Sequence, residues 1–327
     1  MQESKGLIET SFGIRITGIK PYRAGYILDT NAGKKYIKAC QYTKERVQFI
    51  HAAKTHLITH HFTQIDPYCL TDAKQPFLEA DEGIYTMVNL IEGRECEFDD
   101  DRDVVRATEA LAMMHKAGHG FAPKGGGLVP NSLGKLPGCL KKRLEDIRKL
   151  RRKAEKERNG FDYLFIEHFS DFYNIGEKSL ETLLGSQYNK LVEVTRREGM
   201  ICHHDYSYQN ILLKGEKTAI INFDYCNLEL KIYDIVNILR RRMRKCNWDI
   251  QKARLILDAY RRIEPLERDE MKVMKSMLQF PQKFWRVINR YYNSKRCWAQ
   301  KNFTQMLEEV VGEKESHLQF VDDFDKL

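Results

Sequence analysis

The chain lacks the cysteine patterns of zinc-binding and disulfide-rich proteins. Its 327 residues include eight cysteines, but no Cys-x-x-Cys pair and no His/Cys cluster at zinc-ligand spacing. It also has no apolar run near the ~20 residues that a bilayer crossing needs, and its N-terminus carries no apolar signal core. We therefore expect reduced thiols and no membrane partner, in a protein that is made and kept in the cytoplasm unless a partner carries it elsewhere.

A glycine-rich phosphate loop is missing as well. Between residues 17 and 25 the only two glycines, Gly18 and Gly25, have the wrong spacing for the pattern G-x-G-x-x-G, and Pro21 lies between them. Backbone amides in such a segment can still cradle a phosphate group. Lys20 or Arg23 would then assist them.

The net charge of +8 mildly favours anionic partners such as nucleotides or acidic proteins. No nucleic-acid-binding motif accompanies this charge, so a nucleic-acid partner is not expected. Two basic stretches, residues 135–158 and 240–245, are interpreted as solvated faces of helices. A phosphate-binding role for the first and an acidic partner for the second are the sharper alternatives.

The order of predicted elements indicates an α+β fold. The first ninety or so residues favour short strands around one helix that begins after Thr43, whereas the pattern becomes helical after Phe98. One hairpin, residues 211–223, interrupts the helical part. We predict a small β-rich N-lobe over residues 1–91, a hinge near residues 91–94, and a larger helical C-lobe over residues 92–327. The C-lobe then carries the candidate site between residues 203 and 224.

Asp205 is the candidate catalytic residue. Asn210 follows it after five positions and precedes the hairpin, which is the spacing of a kinase active site. A carboxylate there orients an acceptor hydroxyl and takes its proton. His203 is interpreted as a packing and hydrogen-bonding strut, and His204 as a loop residue or a substrate contact.

Three oxygen-bearing side chains are candidate Mg²⁺ ligands. Asn210 offers a carbonyl oxygen, and Asn222 stands where kinases carry an aspartate. A neutral amide at that position should weaken metal binding, because Mg²⁺ favours carboxylates. Asp224 lies two residues further, on the same side if the strand continues. It either replaces part of the missing charge or pairs with a nearby basic residue.

Lys38 and Glu45 are the candidate phosphate-holding pair. Lys38 ends an apolar strand that precedes the first predicted helix, and such a lysine suits the α- and β-phosphates of ATP. Glu45 is the only carboxylate between Lys38 and Asp66, so we expect it to pair with Lys38. An ordinary strand lysine and a surface glutamate are the alternative.

These residues give the chain a resemblance to the aminoglycoside-phosphotransferase-like branch of the protein-kinase-like fold. The segment from Leu111 to His115 resembles the LAxLH helix of that branch, and the spacing of His203, Asp205 and Asn210 resembles its catalytic loop. More narrowly, the chain is similar to the CotS family of spore coat proteins. The segments that carry this second likeness are residues 44–51, 85–94, 204–210, 223–226 and 291–293.

The resemblance implies a bilobal kinase-like fold and a place in the spore coat among other coat proteins. ATP and Mg²⁺ would bind between the lobes, with backbone groups of Asn89, Leu90 and Ile91 contacting the adenine and a small molecule offering the acceptor hydroxyl. The CotS family usually ends this strand Asp-Phe-Asp, whereas this chain has Asn222 in the first place. A catalytically silent scaffold in the coat is therefore the rival hypothesis.

Overall fold

The computed structural model describes residues 4–81, 83–123, 130–157, 159–293 and 300–327. The chain forms two compact units. The first unit contains Met1–Asn131 and Glu198–Lys231, and the second contains Ser132–Arg197 and Ile232–Leu327. The predicted lobe boundary after residue 91 stays a prediction. The expected mixture of a small antiparallel sheet and a larger helical part is confirmed.

The first unit is built on a five-stranded antiparallel sheet. Its strands are β1 (Ile16–Tyr22), β2 (Gly25–Thr30), β3 (Gly33–Cys40), β4 (Leu78–Ala80) and β5 (Gly83–Asn89). They lie in the order β1-β2-β3-β5-β4, so β1 is an edge strand. An edge tolerates Pro21, because proline has no amide proton to offer a further strand. The alternation of Ile14, Arg15 and Ile16 predicts a strand over these residues, whereas β1 begins at Ile16.

Two helices accompany this sheet: one precedes β1, and the other lies between β3 and β4 in the sequence. The first, α1 (Lys5–Phe12), was not expected, and it packs Ile8 and Phe12 into the sheet core beside Leu28, Ile37 and Met87. The second, α2 (Lys44–Thr59), was predicted correctly. The hydroxyl of Thr43 accepts a hydrogen bond from the Arg46 amide and so caps the N-terminus of α2.

The remainder of the first unit carries the predicted hairpin. After β6 (Arg94–Glu95) and α3 (Asp101–Gly118), the chain returns as β7 (Ile201–Cys202), β8 (Ile211–Lys214), β9 (Lys217–Ile220) and β10 (Asn227–Leu228). Strands β8 and β9 pair in register from Ile211 and Ile220 to Lys214 and Lys217, which confirms the hairpin and its turn. Gly215 lies in that turn with a φ of +53°, a conformation that glycine adopts without strain.

The described residues of the second unit form helices joined by turns, with no strand among them. Its helices are α4 (Leu136–Glu157), α5 (Gly160–Leu184), α6 (Tyr188–Glu198), α7 (Ile232–Met243), α8 (Ile250–Arg261), α9 (Arg268–Gln279), α10 (Gln282–Asn293), α11 (Gln300–Gly312) and α12 (Lys314–Asp323). The spacing of Leu140, Leu144, Ile147 and Leu150 predicts that they form the buried side of α4, and all four are buried. In the part of the chain that the structure describes, no helix has both the length and the apolar character needed to cross a membrane.

One predicted helix has different limits. The sequence pattern predicts a single helix over residues 180–197, whereas the structure ends α5 at Leu184 and starts α6 at Tyr188. The amide of Gly185 closes the last turn of α5 on the Glu181 carbonyl, and the Ser186 hydroxyl accepts a hydrogen bond from the Tyr188 amide. Such local bonds compete with a continuous helix, and the apolar spacing does not report them.

Candidate active site

The side chain of Lys38 joins the two parts of the sequence that carry the candidate site. From β3 its ammonium group donates to the Asn222 amide oxygen at 3.0 Å and forms a close ion pair with the Asp224 carboxylate. Both groups are largely shielded from solvent, because only 15% of the Lys38 side chain and 23% of the Asp224 side chain are exposed. Burial on this scale reduces screening by water, so the pair is stronger than a surface salt bridge.

Asp205 and Asn210 form the second half of the cluster. The Asn210 side-chain amide donates to the Asp205 carboxylate at 2.9 Å and to its main-chain carbonyl at 2.8 Å. The Asn222 amide group in turn donates to the Asn210 side-chain oxygen at 3.3 Å. A continuous chain of hydrogen bonds therefore runs from the predicted catalytic carboxylate to the predicted metal ligands and on to Lys38.

His203 braces the loop on which Asp205 stands. Its Nε2–H donates to the Ile221 carbonyl at 3.0 Å, and its Nδ1 accepts from the Asp205 amide at 3.3 Å. The ring is fully buried and packs edge-on against Phe223, with 4.7 Å between ring centroids. The two bonds require the neutral tautomer protonated on Nε2. As the sequence predicts, His203 acts as a strut.

A sharp turn of the backbone places Asn222 and Asp224. Strand β9 ends at Ile220, and Asn222 adopts a left-handed conformation with a φ of +63° before a 3₁₀ turn over Phe223–Tyr225. The premise that the strand continues through Asp224 is therefore wrong. Asparagine and aspartate tolerate this conformation better than most residues. The turn, rather than strand alternation, brings both side chains to the same ammonium group.

A buried ion pair supports this turn. The main-chain amide of Asn222 donates to one carboxylate oxygen of Asp66 at 3.1 Å. The other oxygen of Asp66 lies 2.9 Å from the ammonium group of Lys54. Lys54 is 2% exposed, and its ammonium group lies 4.3 Å from the centre of the Tyr68 ring. Because an unpaired buried charge is costly, this pair and its hydrogen bonds hold the backbone of Asn222 in one place.

Helix α2 also holds the Asp224 segment. Arg46 donates to the main-chain carbonyls of Asp224 at 2.6 Å and of Cys226 at 2.7 Å. The Tyr42 hydroxyl donates to the Asp224 carboxylate at 3.0 Å. Burial raises the pKa of Tyr42, and the negative charges of neighbouring groups raise it further. Tyr42 therefore stays a neutral hydrogen-bond donor to the carboxylate across the physiological range.

Glu45 does not pair with Lys38, so that part of the prediction is wrong. Glu45 is exposed in the first turn of α2, where a hydrogen bond with Thr43 lowers the pKa of its carboxyl group. An acidic residue at this position is stabilised by the amide groups of the helix N-terminus. The carboxylate that pairs with Lys38 comes instead from Asp224, which is 186 residues away in the sequence.

Asn89, Leu90 and Ile91 lie where β5 ends. The Asn89 side chain accepts a hydrogen bond from Lys35 on the neighbouring strand, and the Leu90 amide donates to the Lys34 carbonyl at 3.0 Å. These bonds fix the end of the strand. The Leu90 amide is already used by β3, so an adenine contact would fall on the other backbone groups of the segment. Their assignment to nucleotide binding stays a prediction.

The β1–β2 turn reaches the catalytic loop. Arg23 stands in this turn with a φ of +50°, which is uncommon for a residue other than glycine. Its guanidinium group donates to the Gln209 carbonyl at 2.9 Å and to the Glu95 carboxylate at 2.6 Å. These hydrogen bonds connect the β1–β2 turn, whose sequence lacks the glycine-rich pattern, to the loop that carries Asp205.

The donor set of this cluster fits a hard cation such as Mg²⁺. Asn210 and Asn222 offer amide oxygens and Asp224 offers a carboxylate, and Mg²⁺ prefers oxygen ligands. In this structure each of these oxygens accepts a hydrogen bond from a neighbouring group. A bound cation would replace those donors. The single carboxylate of Asn222-Phe223-Asp224 leaves one negative charge fewer than an Asp-Phe-Asp sequence would provide.

Sequence reasoning missed four residues of this site: Tyr42, Arg46, Lys54 and Asp66. One signal for Lys54 was present, because it lies on the apolar stripe of α2 between Ile50 and Leu57. A charged residue on a buried helix face needs a buried partner. The other three residues stand in segments whose spacing carries no such signal.

Comparison with known proteins shows the family of this chain. Residues 5–324 match the family described as "Spore coat putative kinase YutH". The chain belongs to this family. It is also 23% identical to spore coat protein S of Bacillus subtilis (strain 168), over 97% of this chain and 92% of that protein. The predicted resemblance to spore coat proteins of the kinase-like fold is thereby confirmed.

Solved structures confirm the fold class of this spore coat family member. An aminoglycoside phosphotransferase from Alicyclobacillus acidocaldarius superposes with a TM-score of 0.84 at 18% identity, covering 95% of this chain and 92% of that one. Spectinomycin phosphotransferase in complex with ADP and spectinomycin superposes with a TM-score of 0.65 at 14% identity, covering 100% and 98%. At these identities the likeness establishes the kinase-like fold.

Proposed function

We propose that this protein is an ATP- and Mg²⁺-dependent phosphotransferase that acts on a hydroxyl group of a small molecule at the spore coat. The observation that carries the proposal is the ion pair of Lys38 with Asp224, together with the chain of hydrogen bonds to Asp205. Kinases carry out phosphoryl transfer with a phosphate-binding lysine, an asparagine and a carboxylate that hold the metal, and a second carboxylate that orients the acceptor.

Each residue has a distinct task in this proposal. Asp205 orients the acceptor hydroxyl and takes its proton as the hydroxyl oxygen bonds to the γ-phosphorus of ATP, while the bond from that phosphorus to the β–γ bridging oxygen breaks and ADP leaves. Lys38 moves from the Asp224 carboxylate to the phosphate oxygens of ATP, while Asn210, Asn222 and Asp224 hold Mg²⁺. The metal ion supplies charge neutralisation on the phosphates. Asn89, Leu90 and Ile91 contact the adenine through their backbone.

The spore coat location rests on family membership and on the likeness to spore coat protein S. Under this proposal the protein is made in the cytoplasm of a sporulating cell and joins other coat proteins. The chemistry rests on the site, because the fold alone hosts many functions. The ADP bound in spectinomycin phosphotransferase supports a nucleotide as the ligand of this fold.

A specific observation favours the second candidate, a silent scaffold. Asn222 carries no charge, and Lys38 is already neutralised by Asp224 in a part-buried pair. A protein that keeps this pair closed would use the kinase-like fold only as a platform for coat partners. The two candidates differ in whether ATP can compete for Lys38.

Thermal unfolding with ATP separates the two candidates. An active enzyme should be stabilised in a Mg²⁺-dependent way, by about 2.7 kcal/mol at a ligand concentration of 100 Kd. Lys38→Met should abolish the shift. Lys44→Met should keep it, since Lys44 is an exposed lysine that pairs with Glu79. No shift at millimolar ATP in the wild-type protein would favour the scaffold.

A further inference from the structure

A groove runs between helices α4 and α5 of the second unit. Its volume is about 750 Å³. Its lining comes from residues 141–145 of α4 and from residues 173–185, which form the end of α5 and its C-cap. We call it the α4–α5 groove. It lies wholly within the second unit and shares no residue with the candidate active site.

Close packing of the two helices fixes the floor of the groove. The Leu144 side chain of α4 lies over Gly176 of α5, where a Cβ atom would be only 2.8 Å from the nearest Leu144 carbon. One turn further along α4, Arg148 donates to the Tyr173 hydroxyl of α5. The contact moves forward along α4 and backward along α5, so the helices are antiparallel. Such a packed pair of helices offers a preformed surface to a ligand.

Apolar side chains form a stripe along the groove. Tyr173, Leu180 and Leu184 of α5 stand at positions i, i+7 and i+11, which share one face of a helix. At ~1.5 Å per residue this stripe extends about 17 Å, or about three helical turns. Another face of α5 is buried in the core of the unit, whereas Leu184 is 58% exposed. Helix α5 therefore carries a second apolar face, with the spacing by which helices pack on one another, and this face is open to solvent.

Acidic side chains stand beside this stripe. Glu145 of α4 and Glu181 of α5 are exposed, and neither side chain has an ion pair or a hydrogen bond within the described ranges of the chain. A third glutamate, Glu177, lies 4.0 Å from Arg148. The lining itself has a single cation, Lys141, against these three glutamates. In a chain with a net charge of +8, such a local excess of negative charge favours a cationic ligand.

We propose that the α4–α5 groove binds an amphipathic helix of a partner protein, with lysine or arginine residues on both sides of its apolar stripe. The apolar side chains of that helix would pack against Leu144, Leu180 and Leu184, as helices do in apolar grooves. Its cations would then meet Glu145 and Glu181. The length of the stripe matches about three turns of such a helix.

Titration of a labelled peptide with the full-length protein, followed by fluorescence anisotropy, tests the proposal. The probe is a peptide of about 14 residues, or about four helical turns, with leucines at helical spacing and lysines elsewhere. We expect saturable binding and a gain of helical circular dichroism by the peptide, because an isolated helix of this length is marginal in water. A peptide with glutamate in place of each lysine should bind about tenfold more weakly or worse.

Two variants of the groove have matched controls on α5. Leu184→Gln should weaken binding of the lysine peptide about tenfold, because an apolar contact is lost. Tyr163→Gln should leave it unchanged, since Tyr163 is 60% exposed but lies outside the groove. Glu181→Gln should weaken binding about two- to fivefold, as expected for an exposed charge pair. Glu167→Gln makes the same change in net charge at an exposed position outside the groove and should have no effect.

Three results would overturn the proposal. The first is equal affinity of the wild-type protein and Leu184→Gln, or an equal loss in Tyr163→Gln. The second is binding of the glutamate peptide as tight as that of the lysine peptide. The third is a dimer, seen by sedimentation without peptide, that Leu184→Gln separates, because a second copy of this chain would then cover the groove. None of these measurements uses a nucleotide, so their outcome is independent of phosphotransferase activity.

Discussion

Restoring a carboxylate at position 222 is the most direct test of what limits the candidate active site. Asn222→Asp changes one amide to a carboxylate without changing the size of the side chain. The left-handed backbone at this position, with a φ of +63°, suits aspartate as well as asparagine. The hydrogen bond from the main-chain amide of residue 222 to the Asp66 carboxylate does not involve the changed side chain, so it should persist.

The expected gain follows from the charges around this position. At an effective dielectric constant of about 20, two unit charges ~4 Å apart interact by about 4 kcal/mol. The ammonium group of Lys38 lies 3.0 Å from the Asn222 oxygen and will also attract a carboxylate at this position. It therefore competes with the metal ion and reduces the gain in metal binding. We therefore expect Mg²⁺-dependent ATP affinity to rise by about 1.4–2.8 kcal/mol, which is about 10- to 100-fold.

The local hydrogen bonds support the same direction. The Asn222 side chain now donates to the Asn210 oxygen at 3.3 Å. The substitution removes this proton and leaves two oxygens facing each other. Their repulsion opposes the metal-free form and is relieved when a cation lies between them. The gain should therefore depend on Mg²⁺ and vanish in the presence of EDTA.

The assay is ATP titration by calorimetry or thermal shift, with and without Mg²⁺. Asn31→Asp is the matched control, since Asn31 stands in the exposed turn before β3 and accepts a hydrogen bond from the Arg15 amide at 2.7 Å. This acceptor role survives the substitution, and ATP affinity should not change. An unchanged Mg²⁺-dependent affinity in Asn222→Asp would refute the reasoning that the missing charge limits metal binding.

Three further predictions follow from the contacts. Asp205→Asn should lower phosphotransfer by about 10²- to 10⁴-fold while the ATP-induced thermal shift persists, because a general base is lost and Lys38 is untouched. Asp66→Asn should destabilise the protein by about 3–5 kcal/mol in urea unfolding, since Lys54 loses its buried counter-ion; adding Lys54→Met should recover most of this loss. His317 is 7% exposed, and burial lowers its pKa to about 4, so protonation favours the unfolded chain. Stability should be complete above pH ~6.5 and fall by about 3 kcal/mol as the pH drops through ~4, and His317→Gln should flatten this slope in unfolding curves. A slope that persists in the glutamine variant would contradict the assignment to His317.

The catalytic loop and the hairpin were predictable because their chemistry lies in short segments. Asp205 and Asn210 are five residues apart, and the turn at Gly215 is a local signal between two apolar strands. Helix α2 was predictable for the same reason, since Thr43 caps it and its apolar residues recur at helical spacing.

The partner of Lys38 could not be predicted in this way. Glu45 is the nearest carboxylate after Lys38 in the sequence, but it points to solvent from the first turn of α2. Asp224 reaches Lys38 only because the backbone reverses at Asn222. Sequence distance does not limit which charges meet in a folded chain, so proximity in the sequence was a poor guide.

By itself, the sequence determined the kinds of groups available for catalysis, because residue type and local spacing decide loops, hairpins and helix caps. Only the tertiary structure decided which of those groups meet. It paired Lys38 with Asp224 and set Asp66 and Lys54 behind Asn222. These pairings depend on packing between residues that are distant in the sequence. That packing determines both how deeply each charge is buried and which opposite charge lies beside it. Neither property produces a periodic pattern in the sequence.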